Sequence, residues 1–296
     1  MMRGVDRLAR GVGPCDDGVL RHLHVKLPDA TFAALEARSA RTGEPVQHLV
    51  RTALEGFLEL EHHTLFQVSA ASALVEGVYQ GAVTVGQLRE HGDLGLGTFD
   101  GLDGEMVMVD GDVLQVRADG SVRRAPDDAS TPFATVVRFE PDSTFDASFD
   151  DLAALQRRLD DQRTSDNVFY AIRVDGAFDL VHTRAMCRTD EGVPLVVAAA
   201  HQPEFRLRDV AGSMVGFWAP QYVRTLEVPG YHLHFVSRAR DAGGHVLDAA
   251  GHGLTVRVQR VLDLRIALPA NEDFLHADLT HDPAQDLSRA ETKSRG

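Results

Sequence analysis

From about Leu65 onward the chain is a succession of short segments in which apolar and polar residues alternate, cut at intervals by glycine or by Asp-Gly. Alternation of period two puts one set of side chains on one face, so each segment reads as a half-buried strand that another layer must cover. Strands are expected over Glu105–Asp110 and Val113–Ala118 around Asp110-Gly111, and over Thr131–Phe139. Phe169–Val174 and Phe178–Met186 read as a hairpin around Asp175-Gly176. Val193–Ala200, Val210–Trp218, Tyr231–Val236, His245–Ala249 and Leu254–Leu268 follow as strands. Helical signals are fewer: Thr84–Glu90 is a short capped segment and Phe149–Leu159 is amphipathic. Gly92–Gly101 reads as a glycine-rich turn, and the last twenty residues as a frayed end anchored only by Leu279 and Leu287. Strands in runs, rather than in strict alternation with helices, predict an α+β fold of two packed mixed or antiparallel sheets with a few helices.

The first 62 residues have a different character. Residues 20–27 alternate, with Leu23, Val25 and Leu27 on one face and His22, His24 and Lys26 on the other, which is the pattern of a strand. Pro28 ends it, and Asp29 is placed to cap a helix through about Ser39. Thr42-Gly43 breaks that helix, and Pro45 sits where a second would begin, carrying Leu49, Leu54, Phe57 and Leu58 on one face. Strand, helix, turn, helix resembles the ribbon-helix-helix modules of small dimeric DNA-binding proteins. The resemblance implies a homodimer, with DNA as a partner; the near-balanced charge of the segment favours a dimerising or docking role over DNA. The division expected is a module over 1–62 and a larger domain over 63–296.

Composition excludes several chemistries. Cys15 and Cys187 are the two cysteines of the 296 residues, so neither a disulfide framework nor a cysteine-rich zinc site is available. Only two of the 30 basic residues are lysines, Lys26 and Lys293, which leaves almost no nucleophile for a Schiff-base route. A net charge of −14 argues against broad attraction to nucleic acid or anionic lipid. No uncharged apolar run approaches the ~20 residues that span a bilayer, and no signal-peptide core follows Met1, so a cytoplasmic protein is expected.

His232-Leu233-His234 lies in a strand-like run, and side chains two apart on a strand share a face. Gly243-Gly244 permits a return of the chain, so that His245 would open the neighbouring strand beside them. Three neutral imidazoles with an open fourth position make a catalytic zinc arrangement. The bland reading is a set of rings satisfied by backbone carbonyls, and His22-Leu23-His24 shows that the spacing alone is not specific.

Further stretches carry a family resemblance. Phe66-Gln67-Val68-Ser69, Gly77-Val78-Tyr79, His91 to Phe99, Leu102-Asp103-Gly104-Glu105, Ser165 to Arg173, Val215 to Trp218, Gly230 to Phe235 and Gly243 to Asp248 are similar, in the same order, to acetolactate decarboxylases. The likeness covers roughly residues 64–292. It departs after Arg184, where the family continues with Val-Pro and a basic, proline-containing linker but this chain has Ala185-Met186-Cys187-Arg188. The resemblance implies Zn²⁺ on His232, His234 and His245, and catalytic roles for Thr98, Glu105, Arg184 and a tail glutamate best matched by Glu291. It implies decarboxylation of (S)-2-acetolactate to (R)-acetoin.

That chemistry suits the residue types. Losing CO2 pushes an electron pair toward the adjacent ketone, which a Lewis acid and the permanent charge of Arg184 can stabilise. Glu105 is the leading proton carrier, with Glu291 second. Taken singly, Thr98 would be an ordinary turn residue, Glu105 a solvated strand start and Arg184 a surface partner for an acid. Trp218 would be core or pocket wall, and Asp248 either a buttress for a histidine ring or a surface acid. Two other readings compete: another three-histidine metalloenzyme on a keto or hydroxy acid, such as a dioxygenase, and a DNA-binding regulator with a decarboxylase-like sensor domain.

Overall fold

The computed structural model describes residues 25–57 and 63–291. Two helices come first, α1 (Asp29–Thr42) and α2 (Val46–Phe57), separated by Gly43 in the left-handed conformation that closes α1. Both follow the expected boundaries. Residues 21–24, with His22 and His24, lie outside the described residues, whereas Val25–Leu27 are exposed and join no sheet. Arg51 and His48 on α2 reach Asp263 at 3.1 and 3.6 Å, while α1 buries none of its residues.

The body then runs β1 (Thr64–Val68), α3 (Ala71–Val75), β2 (Val83–Thr84), α4 (Val85–His91), β3 (Leu94–Thr98), β4 (Glu105–Val109), β5 (Asp112–Val116), β6 (Val122–Arg124), β7 (Ser130–Thr131), β8 (Ala134–Val137) and β9 (Ser143–Phe149). After α5 (Leu152–Asp160) come β10 (Phe169–Arg184), α6 (Leu195–Ala198), β11 (Glu204–Ala219), β12 (Gly230–Ser237), β13 (Gly243–Val261), β14 (Asp263–Ala267), α7 (Glu272–His276) and α8 (Ala284–Glu291). The fold is α+β. One sheet has seven strands in the order β14-β1-β8-β3-β4-β5-β6, mixed because β1 and β14 run parallel. The other is antiparallel, β10-β11-β12-β13-β9, and β10 also pairs with β13, so four of its strands close on themselves. Leu96, Val107 and Val116 of the first sheet meet Ala171, Val215 and Phe217 of the second in one buried layer. Among the described residues no helix is long and apolar enough to cross a membrane.

Several local expectations give way to tertiary context. Asp175-Gly176 makes no hairpin turn: β10 passes straight through it paired with β11, while its pairing with β13 shifts register between Asp175 and Phe178. Asp175 accepts from Arg173 on its own strand and from Ser213 and Arg257 on the neighbouring strands, and a Cβ on Gly176 would lie 2.6 Å from Leu254, so the pair serves close packing. Within Gly92–Gly101, Leu94–Thr98 is a buried strand; a Cβ on Gly95 or Gly97 would strike backbone carbonyls of Thr135 or Phe133. The apolar run Val193–Ala200 contains a helical turn opened by Pro194, not a strand, since a short apolar run has no decisive period. His245–Ala249 and Leu254–Leu268 are parts of β13 and β14, the former 19 residues long. Asp248 accepts from the backbone N–H groups of Leu152 and Ala249, anchoring the start of α5 rather than any histidine. The tail is ordered through α8, with Leu287 and Ala290 buried. Leu279 is only half-buried.

Candidate active site

Two rows of residues, one from each sheet, make the site. In the antiparallel sheet Arg184 pairs with His245, and His245 pairs with His234, so three neighbouring strands present three functional side chains side by side. His232 stands two residues from His234 on β12, on the same face. The intervening Leu233 and the following Phe235 turn the other way, into a core shared with Phe178 and Val246. In the mixed sheet Thr98 and Glu105 are paired partners across the β3–β4 hairpin. Glycine allows close backbone approach within each sheet beside the site: a Cβ on Gly244 (φ 130°) would sit 2.4 Å from the Arg184 carbonyl, and one on Gly104 (φ 89°) 2.3 Å from that of Val116. β13 also carries a bulge beside the site, because His182 pairs with Asp248 but Thr183 with Val246.

The three imidazoles are buried, and one nitrogen from each lies within 4.8 Å of the other two. His234 donates from Nδ1 to the Met106 carbonyl at 2.7 Å, which leaves its Nε2 as the lone-pair nitrogen. That Nε2 is 3.5 Å from Oε2 of Glu105. Burial, and then the nearby Arg184 charge, push His232 down to about 3, so its ring is neutral at ordinary pH. Three converging, buried ring nitrogens are a metal-ligand set. Glu105 is buried and accepts from the backbone N–H of Met186 through Oε1 at 3.0 Å. Thr98 is buried, and its hydroxyl donates to the Gly104 carbonyl at 2.8 Å, holding the turn that leads into Glu105. A small cavity of about 60 Å³ joins Thr98, Glu105, Arg184 and the three histidines. This collects one cationic group, one carboxylate and a three-nitrogen metal-binding set around one small space.

Residues 65–281 match the family model for alpha-acetolactate decarboxylase. The chain belongs to the alpha-acetolactate decarboxylase family. It is 42% identical over 229 residues to the alpha-acetolactate decarboxylase of Methanosarcina mazei, covering 77% of this chain and 80% of that one. The corresponding enzyme of Methylococcus capsulatus is 40% identical over 235 residues, 78% of this chain and 90% of its own. The crystal structure of alpha-acetolactate decarboxylase from Bacillus subtilis strain 168 superposes with a TM-score of 0.76 at 34% identity, over 78% of this chain and all of that one.

In this member of the alpha-acetolactate decarboxylase family the other arginines near the site in sequence are engaged elsewhere. Arg173 bridges Asp110 and Asp175, and the largely exposed Arg188 lies 3.7 Å from Asp100. Trp218 is buried under the Arg163 guanidinium, 3.9 Å from the ring centre, and is absent from the cavity wall. Glu291 is the last residue of α8, and its side chain lies outside the described residues; α8 lies beyond the stretch matched by the family model. Sequence reasoning did not single out the carbonyl of Met106, the N–H of Met186 or the Gln202 side chain on the cavity wall. The first two are backbone groups with no signature. Gln202 stands in a Gln-Pro pair that reads simply as a strand entry.

Proposed function

We propose that this protein converts (S)-2-acetolactate to (R)-acetoin and CO2, with zinc held by His232, His234 and His245. The observation that carries the reading is the convergence of three buried imidazoles, a carboxylate and a guanidinium on one cavity. Three neutral nitrogen donors fit a catalytic zinc better than a structural one, which takes four protein ligands. When bound, the metal supplies a Lewis acid for negative charge developing on substrate oxygens.

The chain does the rest. Arg184 gives a permanent positive charge; gripping the departing carboxylate too firmly would stabilise the ground state, so its benefit lies with the charge left after CO2 departs. Glu105 holds the proton that ends the reaction. Its fixed bond to the Met186 N–H keeps the carboxylate on one side of the cavity, which is what delivery to a single face requires. Apolar walls from Leu74, Leu102, Phe133 and Val228 keep water away while the carbanionic species lasts. Thr98 holds the hairpin that carries Glu105, and Glu291 acts as a second carboxylate from the end of α8. The N-terminal helices, with Phe32, Leu54 and Phe57 exposed, serve as a dimerising module of a cytoplasmic homodimer.

The test is to purify the protein, measure bound zinc and follow acetoin from racemic acetolactate with chiral analysis of the product. One zinc per chain and (R)-acetoin formed without O2 are expected. Absence of acetoin, or a strict need for O2, would overturn the reading in favour of another three-histidine enzyme.

A further inference from the structure

Gln202 precedes β11 and lines the same cavity, although no part of the mechanism above uses it. Its Nε2 donates toward the sulfur of Met186, the residue whose backbone N–H holds Glu105. Its Oε1 is buried and accepts no hydrogen bond among the described residues. The amide gains nothing by turning over, because thioether sulfur is a weak acceptor and would then face an oxygen with no proton to give. A buried carbonyl without a donor loses its hydration and gains nothing in return, so a site that retains one has a use for it.

The other polar side chains of the cavity divide by chemistry. Arg184 is a donor only. Thr98 has already given its proton to Gly104, and Glu105 must change protonation during turnover. An amide oxygen is a neutral acceptor that does not titrate. Acetolactate has one hydrogen-bond donor, the hydroxyl on the carbon that carries the carboxylate. We propose that Gln202 is a substrate-positioning residue whose Oε1 accepts the hydrogen bond from that tertiary hydroxyl, and that it selects 2-hydroxy over 2-deoxy acids. This rests on the decarboxylase reading of the cavity. A neutral acceptor there holds the hydroxyl in both protonation states of Glu105, fixing which face of the carbon meets the proton.

The experiment uses a ligand pair that lacks the ketone and so cannot react: 2,3-dihydroxy-2-methylbutanoate and 3-hydroxy-2-methylbutanoate, which differ in the C2 hydroxyl alone. Their inhibition constants are measured on the purified, metal-containing wild type, Gln202→Met and Gln202→Glu, with metal content determined for each. Gln202→Met keeps the length and removes the acceptor. It should lower the preference for the hydroxylated ligand by about three- to tenfold and leave the deoxy ligand within about twofold. Gln202→Glu retains an acceptor oxygen and should keep the preference, while binding both anions more weakly. An unchanged preference in Gln202→Met would overturn the proposal. So would equal weakening of both ligands, which would make Gln202 only a prop for Met186 and Glu105. If Gln202→Met does not fold, Gln202→Leu makes the same comparison. A wild type that forms no acetoin would instead remove the decarboxylase reading, and the two failures are thereby distinct.

Discussion

At the scale of single residues, the site depends on groups that are inexpensive to place on strands and costly to bury unpaired. His232→Ala, His234→Ala and His245→Ala should each abolish bound zinc and acetoin formation, read by metal analysis and product assay; a variant retaining both would remove that histidine from the ligand set. Arg184→Lys exchanges a planar fork for a point charge. It should lower turnover by roughly a hundredfold while raising KM far less, checked by steady-state kinetics. Glu105→Gln should retain zinc and lose turnover, because the amide keeps the Met186 contact but cannot give or take the proton. The histidines were readable in the sequence because a strand spaces same-face residues by two and glycines mark the return. The tautomer of His234 was not, since it is set by the Met106 carbonyl, 128 positions away.

At the scale of elements, the structure corrects what local chemistry suggests. Asp-Gly marks a true turn at Asp110-Gly111, where both residues have positive φ, yet Asp175-Gly176 lies inside an unbroken strand. The dipeptides are the same, and it is the pairing with β11, continuous through the second, that distinguishes them. The tail was misread for a related reason: residues 281–296 are polar, and the anchoring comes from Leu287 and Ala290 packing against a surface made by distant segments, including Leu195 and Val228. Deleting residues 284–296 should therefore lower the melting midpoint by roughly 4–8 °C, as one buried leucine and its neighbours are lost, and should cut turnover while sparing zinc. Glu291→Gln in the full chain separates the two roles. It should reduce turnover without moving the melting midpoint, and unchanged turnover would leave Glu105 as the sole proton carrier.

At the scale of the whole molecule, the α+β architecture followed from the density of period-two segments, whereas strand order and the closure of β10 onto β13 had no local signal. His48 and Arg51 of the N-terminal helices reach Asp263 of the body, and every site residue lies beyond them. Deleting residues 1–60 should leave a folded, zinc-containing decarboxylase with reduced oligomer size, measured by light scattering; a loss of salt-sensitive DNA binding on deletion would instead assign the module to DNA. The extra residue at Leu247 sets the parity of β13. On its far side Asp248 pairs with His182; on its near side the count advances by one, so that His245 meets Arg184 and Val246 enters the core. Were Leu247 to pair as an ordinary strand residue, Thr183 would meet Leu247 and Arg184 would meet Val246, turning the imidazole toward the core and presenting an isopropyl group to the other two histidines. The bulge is thus a counting device: it consumes one residue so that His245, and not Val246, arrives beside Arg184.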